Sequence, residues 1–179
     1  MQRVFKAFDA DVLDESGTGN LARGGNPMAK VLIVYCSLSG NTKAAAEAVA
    51  EGVAEAGVDV VLKDGYAASY VDLLGCDAVA FGSYDAFSYM GGALKDFLDR
   101  AYYPTLDRVT GKPFAAFITH GGGGLAAGSV ESVAKSFKLR KAAGTVSVKG
   151  MPEGDAIDML KGLGSVLAMA AQSRADAGG

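Results

Sequence analysis

The sequence predicts an α/β fold, one parallel five-stranded sheet sandwiched between helices. Strand-like and helix-like stretches alternate from Met28 onward, the pattern of repeated β-α units. The first of these runs, 30–35, is β-branched and apolar almost throughout rather than alternating, as a strand covered on both faces should be. The 179 residues, half of them hydrophobic, supply a sizeable core for one domain, and the alternation leaves no room for a second.

Residues 30–35 (KVLIVY) make a continuous β-branched and apolar run, the first strand. Residues 42–56 are Ala-rich and amphipathic, a helix stopped by Gly57. The second strand is 58–63, and 71–74 belong to a short helix ended by Gly75. The third strand is 77–82 (DAVAFG). Helix 92–103 carries Leu94, Phe97, Leu98 and Ala101 on one face, as core, and Pro104 follows it. The fourth strand is 113–119 (PFAAFIT). A helix over 125–137, a fifth strand over 144–148 and a last helix over 152–172, with Pro152 near its first turn, complete the chain.

The charge balance, 17 Lys and Arg against 20 Asp and Glu, is −3. A mildly acidic chain without clustered basic residues excludes a nucleic-acid surface. No apolar run is long enough for membrane insertion. The two cysteines, Cys36 and Cys76, read as reduced thiols of a cytoplasmic protein rather than as a disulfide framework, and no metal site is evident. Cys36 ends the first strand and reads as a small packer. Residues 1–27 differ in character from the rest of the chain: they are turn-rich, lack the apolar core of a signal peptide and read as a flexible extension before a domain over 28–179.

Ligands of open parallel sheets bind beyond the carboxyl ends of the strands, where the winding reverses. The loops after the first, third and fourth strands are unusual in composition, and together they can build one pocket. The first holds Ser37, Leu38, Ser39, Gly40, Asn41 and Thr42: hydroxyls and an amide around one glycine, with a helix start behind. A helix needs only one such residue as its cap. The surplus suits a phosphate held by neutral donors and the helix dipole. There is no Walker lysine, so a monophosphate fits better than a magnesium-bound triphosphate. The second loop, 83–92, opens with Ser83, Tyr84, Asp85, Ala86 and Phe87. The third, 119–124, contains Thr119, His120, Gly121 and Gly122, and its glycines let backbone lie against a flat ring. Gly122, Gly124 and Ala127 can be forced onto a dinucleotide pattern, but after the wrong strand and without the acidic partner. An acidic phospho-acceptor cluster of a receiver is absent from Tyr35, Cys36 and Ser37.

The S-x-S-G-N-T loop, followed in order by DAVAFGS, GGALKDFLDR and GKPFAAFITHGGGG, resembles the flavodoxin-like family. The resemblance implies a three-layer α/β/α sandwich with strand order 2-1-3-4-5 and bound FMN. It implies that 37–42 hold the FMN phosphate, that 83–87 run along the isoalloxazine and ribityl tail, and that 119–122 approach the ring from another edge. Where the family often has G-S/T-P-T, this chain has Gly82-Ser83-Tyr84-Asp85. A carboxylate at Asp85 within contact of the flavin would repel its anionic reduced states. With no Trp in the chain, ring stacking falls to Tyr84, Phe87, Tyr89, His120 or a partner. His120, the one histidine, gains interest from its place at a strand end.

Two functions fit this pocket. One is a low-potential electron carrier between redox partner proteins. The alternative is an FMN-dependent NAD(P)H:quinone-type oxidoreductase, with a small-molecule acceptor such as a quinone. The short connection 102–112 favours the carrier, as monomer or dimer.

Overall fold

The computed structural model describes residues 28–177, and the extension expected over 1–27 lies outside them. The elements are β1 Lys30–Tyr35, α1 Asn41–Glu55, β2 Asp59–Asp64, α2 Tyr70–Leu74, β3 Ala78–Ala86, β4 Tyr89–Met90, α3 Gly92–Thr105, β5 Pro113–His120, α4 Ala126–Ser136, β6 Arg140–Lys141, β7 Val146–Lys149 and α5 Asp155–Ala177.

The strands lie in the order β2-β1-β3-β5-β6, with β7 also pairing β5, and every pair is parallel except the β3–β4 hairpin. This is the order 2-1-3-4-5 with its fifth strand in two pieces. The edge chain takes five steps from Lys141 to Val146 while β5 takes three from Phe114 to Phe117, so the ladder opens between β6 and β7. Small residues Ala142, Ala143 and Gly144 fill the bulge, and Glu131 of α4 pins both sides of it by accepting from Lys141 Nζ and Thr145 Oγ1.

The period-2 alternation of each strand feeds two cores. Val31 and Ile33 of β1, Ala78 and Ala80 of β3 and Phe117 of β5 pack under α1 and α5. Leu32, Val34, Val79, Phe81 and Ile118 point the other way, under α2, α3 and α4. The stripe Leu94, Phe97, Leu98 and Ala101 is wholly buried there. Helices α1 and α5 cross closely because Gly52 and Gly164 carry no side chain. A Cβ on Gly52 would overlap the backbone of Lys161, and one on Gly164 the carbonyl of Val49.

Helix boundaries shift slightly. Pro104 lies inside the last turn of α3, which ends at Thr105, whose buried hydroxyl donates to Ala101 O at 2.8 Å. Helix α5 starts at Asp155, three residues beyond Pro152, with Asp155 and Asp158 complementing its dipole.

Buried Lys112 precedes β5 at the far end of the sheet. Its ammonium donates to the carbonyls of Leu73, Leu74 and Cys76, which close α2. Burial pushes the Lys112 amine down and the neighbouring Cys76 thiol up. Both cysteines are free and buried.

Five-residue α2 depends on its cap. Ser69 and Asp72 form a capping box, and Lys63 Nζ lies 2.8 Å from Asp72 Oδ1. Burial raises the Asp72 carboxyl, but the Lys63 ammonium and two Ser69 hydrogen bonds outweigh it and hold it below the ordinary carboxylate value. Its stabilisation is therefore present above the unfolded pKa, near 4, and is lost as pH falls through the lower folded value. Asp72→Asn is expected to cost about 1 kcal/mol at pH 7. Urea midpoints should show the gap to wild type closing as the pH falls from 4 toward 2; a constant gap would refute the assignment.

Candidate functional site at the carboxyl edge

The strand register brings the three suspected segments together. Tyr35, the last residue of β1, lies opposite Gly82 of β3, and Gly82 opposite Phe117 of β5; β3 and β5 run on past this level to Ala86 and His120, so all three segments gather at the same end of the sheet. This is the crevice where the winding reverses, β2 lying to one side of β1 and β3 to the other.

In the first segment, Ser37 Oγ accepts from Gly40 N at 3.2 Å and shapes the loop. Gly40 stands at the helix start with φ 93°, a conformation that favours glycine. No side chain caps α1, and its first turn holds no acidic residue. Neither Asn41 nor Thr42 serves as cap: Asn41 is half-buried, and Thr42 is buried with its hydroxyl turned to the third segment. Ser39 and Leu38 are exposed. A bare, dipole-positive helix start beside neutral donors is what a phosphate requires.

The second segment corrects the loop expected over 83–92. Strand β3 continues to Ala86, because Tyr84 still pairs across to Thr119, and the chain then turns back at once into β4. Phe87 and Ser88 form the turn with φ 55° and 68°, both left-handed, which glycine or asparagine usually serves. Phe87 is fully exposed at the tip. Ser83 is buried. Its hydroxyl donates to Tyr84 O and accepts from Gly91 N, both at 2.7 Å, closing the neck of the hairpin. Tyr84 packs into the core beside Cys36 and Gly91. A Cβ on Gly91 would come 2.6 Å from the Tyr84 ring and 2.7 Å from Cys36 Sγ. Ala86 is half-buried. Asp85 does not stand at the crevice as a bare charge. One carboxylate oxygen accepts from Ser88 N at 2.7 Å and the other from Ala126 N at 3.3 Å.

In the third segment, Thr119 Oγ1 and Thr42 Oγ1 share a hydrogen bond of 2.7 Å, joining the third segment to the first. His120 is half-buried, and its Nδ1 is enclosed without a hydrogen-bond partner among the described residues. The other side of its ring lies against Gly124, where a Cβ would meet His120 Cδ2 at 2.9 Å and Ser147 Oγ at 2.5 Å. Gly121 and Gly122 have open space where a side chain would stand. An uncapped helix start, a glycine surface open above and an orphaned ring nitrogen fit a phosphorylated, flat cofactor with polar edges.

Sequence reasoning missed Ser129. Its hydroxyl accepts from Met90 N at 3.0 Å and donates to Ala126 O at 2.7 Å, binding the hairpin to α4. A serine inside a helix gives no local signal of such a long-range bond.

No protein-family model matches the chain. A flavodoxin of Aquifex aeolicus (strain VF5) is 37% identical over 98 residues, 54% of this chain and 53% of that protein. An NAD(P)H dehydrogenase (quinone) of Bradyrhizobium diazoefficiens is 37% identical over 41% of this chain and 47% of its own length. The chain thus spans about half the length of these two curated relatives. Among solved structures, a flavodoxin from the domain Archaea superposes with a TM-score of 0.75 and 27% identity, over 80% of this chain and 99% of that one. By its fold, and by its sequence over about half its length, the chain is flavodoxin-like.

Proposed function

We propose that the chain binds FMN at this edge and carries electrons at low potential between redox partners. The observation that carries the reading is the uncapped start of α1, framed by Ser37, Leu38, Ser39, Gly40, Asn41 and Thr42 and tied through Thr42 to the open glycine surface after β5. The first segment would hold the phosphate, the stretch Ser83 to Phe87 would flank the ring and ribityl tail, and Thr119, His120, Gly121 and Gly122 would take another ring edge. Bound FMN supplies one- and two-electron redox chemistry. The chain's part is to orient the ring, limit water around it and keep charge away. Both Asp85 oxygens are already engaged, which lessens the charge penalty its sequence position implied.

Exposed Leu38, Phe87 and Leu125 stand at the crevice's rim, an apolar surround suited to a docking partner. A quinone reductase is the second reading, supported by the likeness to the Bradyrhizobium protein. The connection from α3 to β5 is only 106–112, with no insertion to house a nicotinamide, and this favours the carrier.

The purified chain is expected to release one FMN per polypeptide on denaturation. Reductive titration should resolve two one-electron steps, and NADH or NADPH should bleach the flavin only slowly. Absence of flavin affinity would sink both readings. Rapid stoichiometric bleaching with quinone turnover would replace the carrier by the reductase.

A further inference from the structure

We infer that Asp85 and Ser129 are positioning residues that brace the β3–β4 hairpin against the start of α4, so that the two segments flanking the crevice move as one body. The inference rests on the FMN reading of the site. Its basis is a set of bonds that cross between elements. Asp85 spends one oxygen on its own turn, through Ser88 N, and the other on the first amide of α4, through Ala126 N. Ser129, one turn further along α4, accepts from Met90 N on the returning strand. Asp85 and Met90 are themselves opposite each other in the hairpin, so both anchors act on one rung.

The rung is where holding is needed. The turn beyond it is built from Phe87 and Ser88 at positive φ, neither of them a residue that rests there unaided. The carboxylate also supplies the cap that Leu125 cannot give α4, which has no side-chain cap from its own N-cap residue. Helix α4 begins two residues after Gly124, so fixing its first turn fixes the far end of the glycine segment. The Thr42–Thr119 bond holds the near end. The glycine segment is thus clamped at both ends, once to the phosphate segment and once to the hairpin.

Asp85→Ala and Ser129→Ala in the full chain test this. Without added FMN, amide exchange at Ser88 and Ala126 should accelerate about tenfold in Asp85→Ala, and exchange at Met90 similarly in Ser129→Ala. FMN should bind each variant about tenfold more weakly than wild type. The double variant should lose less than the product of the two, as residues acting on one rung do. Ser129→Thr, which keeps the hydroxyl, should restore both readouts. Asp85→Asn has one acceptor oxygen for two amides and should fall between wild type and Asp85→Ala. Wild-type FMN affinity in Asp85→Ala and Ser129→Ala, or unchanged exchange, overturns the brace while leaving the site reading intact. A wild-type chain that binds no FMN overturns the site reading and this inference with it.

Discussion

Gly52→Ala is expected to lower stability by roughly 2–3 kcal/mol, read as a fall in the urea midpoint at unchanged slope. In isolation the change should help, since alanine is the better helix former by about 1 kcal/mol. Packing reverses the sign. The new methyl would lie against the Cα and carbonyl of Lys161 on α5, backbone atoms that no rotamer can move aside. Relief requires α1 and α5 to separate, which opens the core that Val49, Val53, Leu160 and Leu167 fill. Gly162→Ala, on the same pair of helices, is the matched control. Gly162 is exposed with nothing within 4 Å of its added methyl, so that variant is expected to gain about 0.5–1 kcal/mol. Opposite signs at two glycines of one helix pair separate packing from propensity; like signs would mean the close approach is not tight.

Asn41→Asp is expected to weaken FMN binding by about 2 kcal/mol, roughly thirtyfold. Asn41 opens α1 beside the candidate phosphate seat, and an added carboxylate there repels a dianion across a short, partly screened distance. The same charge favours a helix start, so the chain free of FMN should become more stable by about 0.3–1 kcal/mol. A fold defect would lower both quantities, whereas electrostatics moves them in opposite directions. The loss should shrink in high salt. Unchanged FMN affinity would remove the phosphate from this segment.

The fold was legible because buried parallel strands advertise themselves. KVLIVY and PFAAFIT have nothing polar to interrupt them, and both lie within their strands in the structure. The continuation of β3 was not legible: Ser83, Tyr84 and Asp85 look like loop residues because their polar groups serve the hairpin, and the Phe87-Ser88 turn lacks the glycine or asparagine that marks such turns. Arg140 and Lys141 hid β6, since two charged residues carry no strand period. At the site, sequence located the segments better than it assigned side chains. Thr42, Ser83 and Thr119 have the composition of ligand donors, yet all three hydroxyls are spent inside the protein. Sequence cannot distinguish a hydroxyl that meets a ligand from one that holds the backbone meeting it. Asp85 is the same case with a charge: its neighbours in the chain suggested repulsion, while its bond to Ala126, 41 residues away, depends on tertiary structure.

The break between β6 and β7 has a consequence for how molecules of this chain meet. An exposed sheet edge is a template on which a neighbour can add a strand and begin a fibre. Here a would-be added strand would find two residues, Arg140 and Lys141, then the bulge, then four residues ending in Lys149. The opposite edge, β2, is six residues long and carries Asp59, Lys63 and Asp64. Along the described sheet, crowded molecules of this protein are therefore offered one edge that is broken and another that is continuous but charged, on which to extend one another's sheets.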